Sequence, residues 1–239
     1  MSTYTLKIKL LSDTTFGRGD GVAGLVDQEV EHDCYGFPYL RGRTLKGLLS
    51  EECDNLIAVL PDDDQRQHWQ AIADRLFGVP GSTLDTQAKI HVGDACLPSD
   101  LRGAIAAQLD LEQEKKRKNP KYKPTLSSTD ILESLTTIRR QTAIAPEDGA
   151  PAEHSLRSAR VILRELPFES KLLFETELNK DSEDDQDMLA LLAVGTLALR
   201  RIGSGRNRGR GHVQCSLLHD STYEITKDMD HIQRFGRTR

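Results

Sequence analysis

Tyr4, Leu6, Ile8 and Leu10 alternate with Thr5, Lys7 and Lys9. That is the period of a strand with one buried face. Gly17, Gly19, Gly21 and Gly24 then mark a flexible loop. Gly36, Pro38 and Gly42 keep the next stretch irregular. Thr44 is placed to cap a helix whose apolar positions are Leu45, Leu48, Leu49, Cys53, Leu56, Ile57 and Leu60, in steps of three and four. Pro61 ends it. Asp63 or Asp64 starts a second helix through Trp69, Ile72, Ala73, Leu76 and Phe77, closed by Gly78, Pro80 and Gly81.

Ile90 and Val92 predict a strand within Lys89 to Leu97, and Leu101 to Leu111 a helix. Glu112 to Thr125 is charged and holds Pro120 and Pro124, so it reads as a mobile insertion. A short helix is expected near Ser128 to Leu135, a turn or loop over Ala145 to Glu153, and part of a strand at Val161 to Leu163. Leu172, Phe174, Thr176 and Leu178 alternate as a strand. Ser182 caps a helix with Met188, Leu191, Leu192, Gly195, Leu199 and Ile202 on one face, and Val213, Cys215 and Leu217 form a last strand. Without the insertions the order is strand, helix, strand, strand, helix, strand. That is the split βαβ of an α+β, ferredoxin-like (RRM-like) fold.

At 239 residues the chain fits one elaborated domain, residues 1–239, and shows no solenoid repeat. Its longest apolar run, Met188 to Leu199, is too short to cross a membrane and contains Gly195. Met1 to Leu11 has no secretory pattern, with Lys7 and Lys9 inside it. A soluble, cytoplasmic protein without a membrane partner is expected. Cys34, Cys53, Cys96 and Cys215 are scattered, which predicts buried thiols rather than disulfides or zinc. The net charge of −5 argues against indiscriminate nucleic-acid binding. The charge is uneven, however. Acid gathers at Asp181 to Asp187, and base at Lys115 to Lys123 and at Arg200 to Arg210.

Gly203 to Gly211 holds four glycines and three arginines in nine residues, between a helix and a strand. A nucleotide P-loop runs from strand to helix, so this loop would hold an anion through arginine forks and loop amides. The plainer reading is a glycine cap, with Arg200 and Arg201 satisfying the helix dipole. Gly42-Arg43-Thr44-Leu45-Lys46-Gly47 opens a helix, whose first amides favour an anion, with Arg43 and Lys46 adding charge.

The order of these motifs resembles the RAMP superfamily of CRISPR proteins, specifically the backbone subunit of type III effector complexes. That subunit has an aspartate, a short loop, Gly-x-Pro-Tyr, and a Gly-Ser-Ser-Leu-Lys-Gly helix start. Here stand Asp33, Gly36-Phe37-Pro38-Tyr39 and the Gly42 to Gly47 motif. Leu76-Phe77-Gly78, Val92-Gly93-Asp94-Ala95, Arg139 to Leu156 and Gly203 to Gly211 resemble later family elements in the same order.

The resemblance, which leaves out Leu101 to Leu126, implies a ferredoxin-like core with finger and thumb insertions and a thumb-like segment around 138–165; the flexible basic insertion around 101–127 is read from its charge and prolines. It implies partners: a CRISPR guide RNA, target RNA, and other effector subunits including further RAMP proteins. It implies cleavage of paired target RNA at Asp33 with a divalent metal, Mg2+, that is not stably bound and that Asp33 could ligate. The RNA-binding set it implies is Arg18, Arg41, Arg43, Lys46, Arg139, Arg140, Gly203, Gly205, Arg206, Asn207, Arg208 and Arg210.

By its residue type alone, Asp33 reads as a turn aspartate capping the amides of Tyr35 or Gly36. His32 and Asp27 are the other candidates for a proton acceptor in this loop. Arg43 and Thr44 stand where the family has two serines, and Ala145 to Gly149 replaces its Asp-Arg-x-Thr-Gly. Two other readings stay open: a structural subunit that does not cleave, and a metal-independent endoribonuclease that processes CRISPR precursor RNA.

Overall fold

A computed structural model describes residues 3–79, 81, 87–143, 149–150, 152, 155–220 and 222–236. Pro80 and most of the expected turn at Ala145 to Glu153 lie outside the described residues. The core begins with β1 (Thr3–Leu10), α1 (Gly42–Ala58), α2 (Asp63–Phe77) and β2 (Ile90–Val92). Then follow α3 (Ser99–Lys118), α4 (Ser128–Leu135), β3 (Thr136–Gln141) and β4 (Arg157–Ile162). The chain closes with β5 (Pro167–Phe174), α5 (Glu183–Ala198), β6 (Val213–His219), β7 (Tyr223–Glu224) and α6 (Met229–Gly236).

The main sheet has the order β2-β5-β1-β6-β7, antiparallel throughout. With β7 set aside, the order is that of a ferredoxin-like α+β core, with α1 and α5 as its two crossover helices. Ile8 lies opposite Phe168 on β5 and Cys215 on β6, so the alternation seen in β1 lines up across three strands. Those side chains are buried under α1 and α5, while Lys7, Lys9, Glu169 and Lys171 lie on the other face. Every residue from Asp187 to Thr196 is buried, which makes α5 a helix packed all round. Asp187, 1% exposed, is held there by His68 Nε2 of α2 at 2.8 Å and Arg234 Nε of α6 at 2.5 Å.

Three expectations need correction. Cys53 and Cys215 are buried, and burial pushes the Cys215 thiol up to about 12, but Cys34 is exposed and Cys96 only half-buried. α3 runs to Lys118, through half of the expected mobile insertion. Lys115 to Lys118 sit in its last turn, where they complement the helix dipole. The following segment is tied back: buried Glu112 accepts from the Tyr122 hydroxyl at 2.9 Å and the Thr125 amide at 2.9 Å. Lastly, Thr44 is not the cap of α1. The helix starts at Gly42, whose amide donates to Asp94 Oδ1 at 2.7 Å.

That cap needs glycine. A Cβ on Gly42 would lie 2.1 Å from the Val92 carbonyl oxygen. In a free helix alanine is favoured over glycine by about 1 kcal/mol. Here the clash reverses the sign. Gly42→Ala is expected to destabilise the protein by about 2 kcal/mol, read as a lowered midpoint in urea unfolding.

The second sheet is the hairpin β3–β4, with Arg139 opposite Ala159 and Gln141 opposite Arg157. It is anchored to the segment after β1 by bridges from Thr14 to Ile162 and from Gln28 to Ala159. Arg160 Nε pairs with the buried Glu29 Oε1 at 2.8 Å beneath it. No helix among the described residues is long and apolar enough to cross a membrane.

Candidate nucleic-acid interface

The base of the glycine-rich loop is stitched to the segment after β1. The Ser204 amide donates to the Thr15 carbonyl at 2.8 Å, and the Gly211 amide to the Asp13 carbonyl at 3.0 Å. Gly211, at φ +71°, lies so close that a Cβ there would come within 1.9 Å of the Ile202 carbonyl oxygen. Between these anchors Arg206–Arg208 makes a single 3-10 turn. Asn207 and Arg208 are exposed at its tip. Arg206 instead lays a fork on Glu51 of α1, with Nη2 to Oε1 at 2.9 Å and Nη1 to Oε2 at 3.1 Å. Arg201 Nη1 donates to the Arg206 carbonyl at 2.9 Å rather than to the end of α5.

The loop and the start of α1 meet at a cavity of about 210 Å³, lined by Phe16, Arg41, Thr44, Gly203, Ser204 and Arg206 among others. Both arginine-bearing motifs therefore share one site. Arg41 Nη2 donates to Glu31 Oε2 at 2.8 Å, and the Tyr39 hydroxyl to Glu31 Oε1 at 3.0 Å. Burial opposes ionisation of Glu31, but these two bonds outweigh it and hold the carboxyl below its ordinary value. The anion that the α1 amides favour is already present, as Asp94. Partial burial of Lys46 lowers its pKa.

A second space, a groove of about 1040 Å³, opens between the β3–β4 hairpin and the glycine-rich loop. Arg139, Arg157, Arg208 and Arg210 line it. Among the described residues Asp27 is its one carboxylate, held by the Ser158 amide at 2.6 Å and hydroxyl at 3.1 Å. Those bonds keep the Asp27 carboxyl below the usual range. Arg157 was missed by sequence reasoning, since only the pairing of β4 with β3 turns it toward this groove. Among the described residues, Arg157, Arg208 and Arg210 make no ion pair, nor do Arg43, Lys46 and Arg140. Arg139 is held by Asp13 at 2.9 Å, and Arg18 by Asp20 at 2.6 Å.

Asp33 closes a tight turn. Its Oδ1 accepts the amides of Tyr35 and Phe37, each at 3.0 Å, and the Gly36 amide donates to its backbone carbonyl at 3.0 Å. Its Oδ2 accepts from Arg102 Nη2 of α3 at 2.9 Å. His32 sits beside it with Nδ1 at 3.0 Å from the Asp33 carbonyl. Asp27 is not part of this cluster but of the groove. Among the described residues no group of three His, Cys, Asp or Glu side chains could hold a metal ion. Asp33 Oδ2 retains one open position and is a hard ligand that a cation could use. A Mg2+ held there would take its other ligands from RNA phosphates and water.

The sheet face away from the helices carries no aromatic side chain on β1 or β5, so base stacking there, as in common RRM modules, has no platform.

The model of the RAMP superfamily matches residues 7–214 of this chain. Comparison with curated proteins finds no significant match. Among solved structures, the chain is similar to a subunit of the type III-B Cmr-beta complex bound to cognate target RNA, with TM-score 0.59 and 15% identity over 96% of this chain and 98% of that one. It is equally similar to a chain of the apo Cmr-beta complex, with TM-score 0.59 and 16% identity over 92% of this chain and 98% of that one. At such identity the likeness carries the fold.

Proposed function

The chain belongs to the RAMP superfamily, and from that premise we propose that it is a guide-RNA-binding backbone subunit of a type III CRISPR ribonucleoprotein, cutting complementary target RNA at Asp33. The observation that carries the reading is the arginine groove between the β3–β4 hairpin and the glycine-rich loop. Arg157, Arg208 and Arg210 bring positive charge there, none of them within salt-bridge distance of a described carboxylate, with Arg157 helping to keep nearby Asp27 ionised. Guanidinium forks suit phosphate, and the glycine backbone permits close approach. The protein contributes shape and charge, and base pairing within the guide–target duplex supplies sequence choice. The net charge of −5 fits a subunit with one basic groove.

Cleavage draws on the nucleophile that RNA carries. A kinked target nucleotide can set its 2′-OH in line with the adjacent phosphorus, so positioning supplies much of the rate. Asp33 Oδ2, with its open position, takes the 2′-OH proton. Mg2+, when bound, neutralises phosphate charge. The bonds already made by Asp33 favour a second reading, an architectural subunit that does not cut.

The test of the first reading is the RNA that co-purifies. The protein is co-expressed with its neighbouring effector subunits, and the bound nucleic acid is extracted and sequenced. Uniform repeat-plus-spacer RNA with several partner subunits is expected. A random RNA mixture on a solitary protein would sink the reading.

Glu51 offers a gentler check. Its pair with Arg206 is partly exposed, the kind worth at most about 1 kcal/mol. Glu51→Gln frees the guanidinium, and RNA affinity at fixed salt is expected to rise about two- to fivefold, measured by filter binding.

A further inference from the structure

An ionised carboxylate accepts about four hydrogen bonds. Asp33 has filled three: two on Oδ1 from the Tyr35 and Phe37 amides, and one on Oδ2 from Arg102. Whatever proton Asp33 takes therefore arrives on Oδ2, directly beside the Arg102 guanidinium. A 2′-OH and the phosphorus it attacks are joined through one ribose. A cation within reach of that proton is within reach of that phosphate.

The guanidinium itself is set for a further ligand. Arg102 lies in the opening turns of α3, its amide donating to the Pro98 carbonyl at 3.1 Å. The guanidinium carbon stands 5.8 Å from the centroid of the buried Phe37 ring. Asp33 uses only Nη2. Among the described residues Nη1 has no acceptor, and Nε is buried with none. A partly exposed ion pair gains little by itself, and with the side chain 34% exposed Nη1 is the donor left for a further ligand.

We propose that Arg102 contacts the scissile phosphate of target RNA and stabilises the charge that builds on it as Asp33 takes the 2′-OH proton. The O2′–P bond forms and the P–O5′ bond breaks. The proton of O2′ passes to Asp33 Oδ2, and the departing O5′ takes a proton from water. The products are a 2′,3′-cyclic phosphate and a 5′-hydroxyl. Arg102 remains charged throughout, its fork held by Asp33 on one side and the phosphate on the other. This inference rests on the reading of Asp33 as the cleaving residue.

The test uses the guide-loaded complex with single-turnover target cleavage at this subunit's register. Arg102→Ala is expected to slow cleavage by about 10²–10³-fold, with target affinity lowered by no more than about tenfold. Arg102→Lys, which keeps a cation, recovers part of the rate. Millimolar guanidinium ion rescues Arg102→Ala and leaves Asp33→Asn inactive. Arg102→Gln gives the same answer should the alanine variant fail to assemble. Full-rate cleavage by Arg102→Ala beside a dead Asp33→Asn overturns the role of Arg102 and leaves Asp33 standing. Full-rate cleavage by Asp33→Asn removes the reading beneath it. Equal losses for the lysine and alanine variants, with no response to guanidinium, assign Arg102 to packing and overturn the proposal.

Discussion

Asp33→Asn is expected to abolish target-RNA cleavage at this subunit's register while the guide-loaded complex still assembles and binds target. Asparagine is the informative choice. Alanine would remove the acceptor for the Tyr35 and Phe37 amides, at about 1 kcal/mol by analogy with lost helix caps, and could lose activity by loosening the turn. Asparagine keeps Oδ1 for both amides and replaces only Oδ2. The replacement NH2 can neither take a proton nor ligate a cation, and it meets Arg102 donor to donor. General-base catalysis is worth about 10²–10⁴-fold, so a loss of about 10³-fold is expected. Single-turnover reactions resolved on a denaturing gel read it as disappearance of this subunit's rung in the cleavage ladder. Wild-type cutting by the variant at this register would show that Asp33 is not catalytic. Two controls share the loop. Asp27 is committed to Ser158, so Asp27→Asn should cut normally. The His32 ring lies against the Asp33 carbonyl rather than its carboxylate, so His32→Ala should lose less than tenfold.

The core was legible where burial writes a period into the chain. β1, α1, α2 and α5 each carry an apolar face; the first three stand close to their expected bounds, while α5 ends at Ala198, short of the expected Leu199 and Ile202. β5 begins at Pro167 and ends at Phe174, earlier than its alternation suggested. Thr176 and Leu178 continue the pattern beyond the last paired residue. β3 carries Thr136 to Gln141, mostly exposed on a two-stranded hairpin, so no apolar period marks it. The far half of α3 looked like a charge run. Its stability comes from the helix dipole and from Glu112, neither of which alters periodicity.

The site was legible as an order of motifs and not as a network. Asp94 caps α1 from 52 positions away in sequence. Asp13 reaches Arg139 across 126 positions, and Glu51 reaches Arg206 across 155. Local sequence cannot reveal which arginine of a basic loop is already matched by a carboxylate. Arg102 and Arg157 had no motif to mark them. Only the tertiary fold sets one against Asp33 and the other into the groove.

That division among the arginines sets the second large effect. The combined variant Arg157→Ala, Arg208→Ala and Arg210→Ala is expected to lower RNA affinity by about 10²–10³-fold. Three charge-assisted phosphate contacts at roughly 1–1.4 kcal/mol each sum to that loss. Each lost contact also removes released counterions, by about 0.7–0.9 in the slope of log K against log salt. The slope should therefore flatten by about two units, read by fluorescence anisotropy with one RNA across a salt series. Arg139 lines the same groove but is engaged by Asp13 at 2.9 Å, so Arg139→Ala should cost less than any of the three alone. Arg157 and Arg208 are exposed, and Arg210 is half-buried in the loop. Thermal stability should hold to within about 1 kcal/mol for the combined variant. An unchanged salt slope would place the RNA elsewhere on the surface. The groove would then be an opening between hairpin and loop, and the charge argument for this face would fail with it.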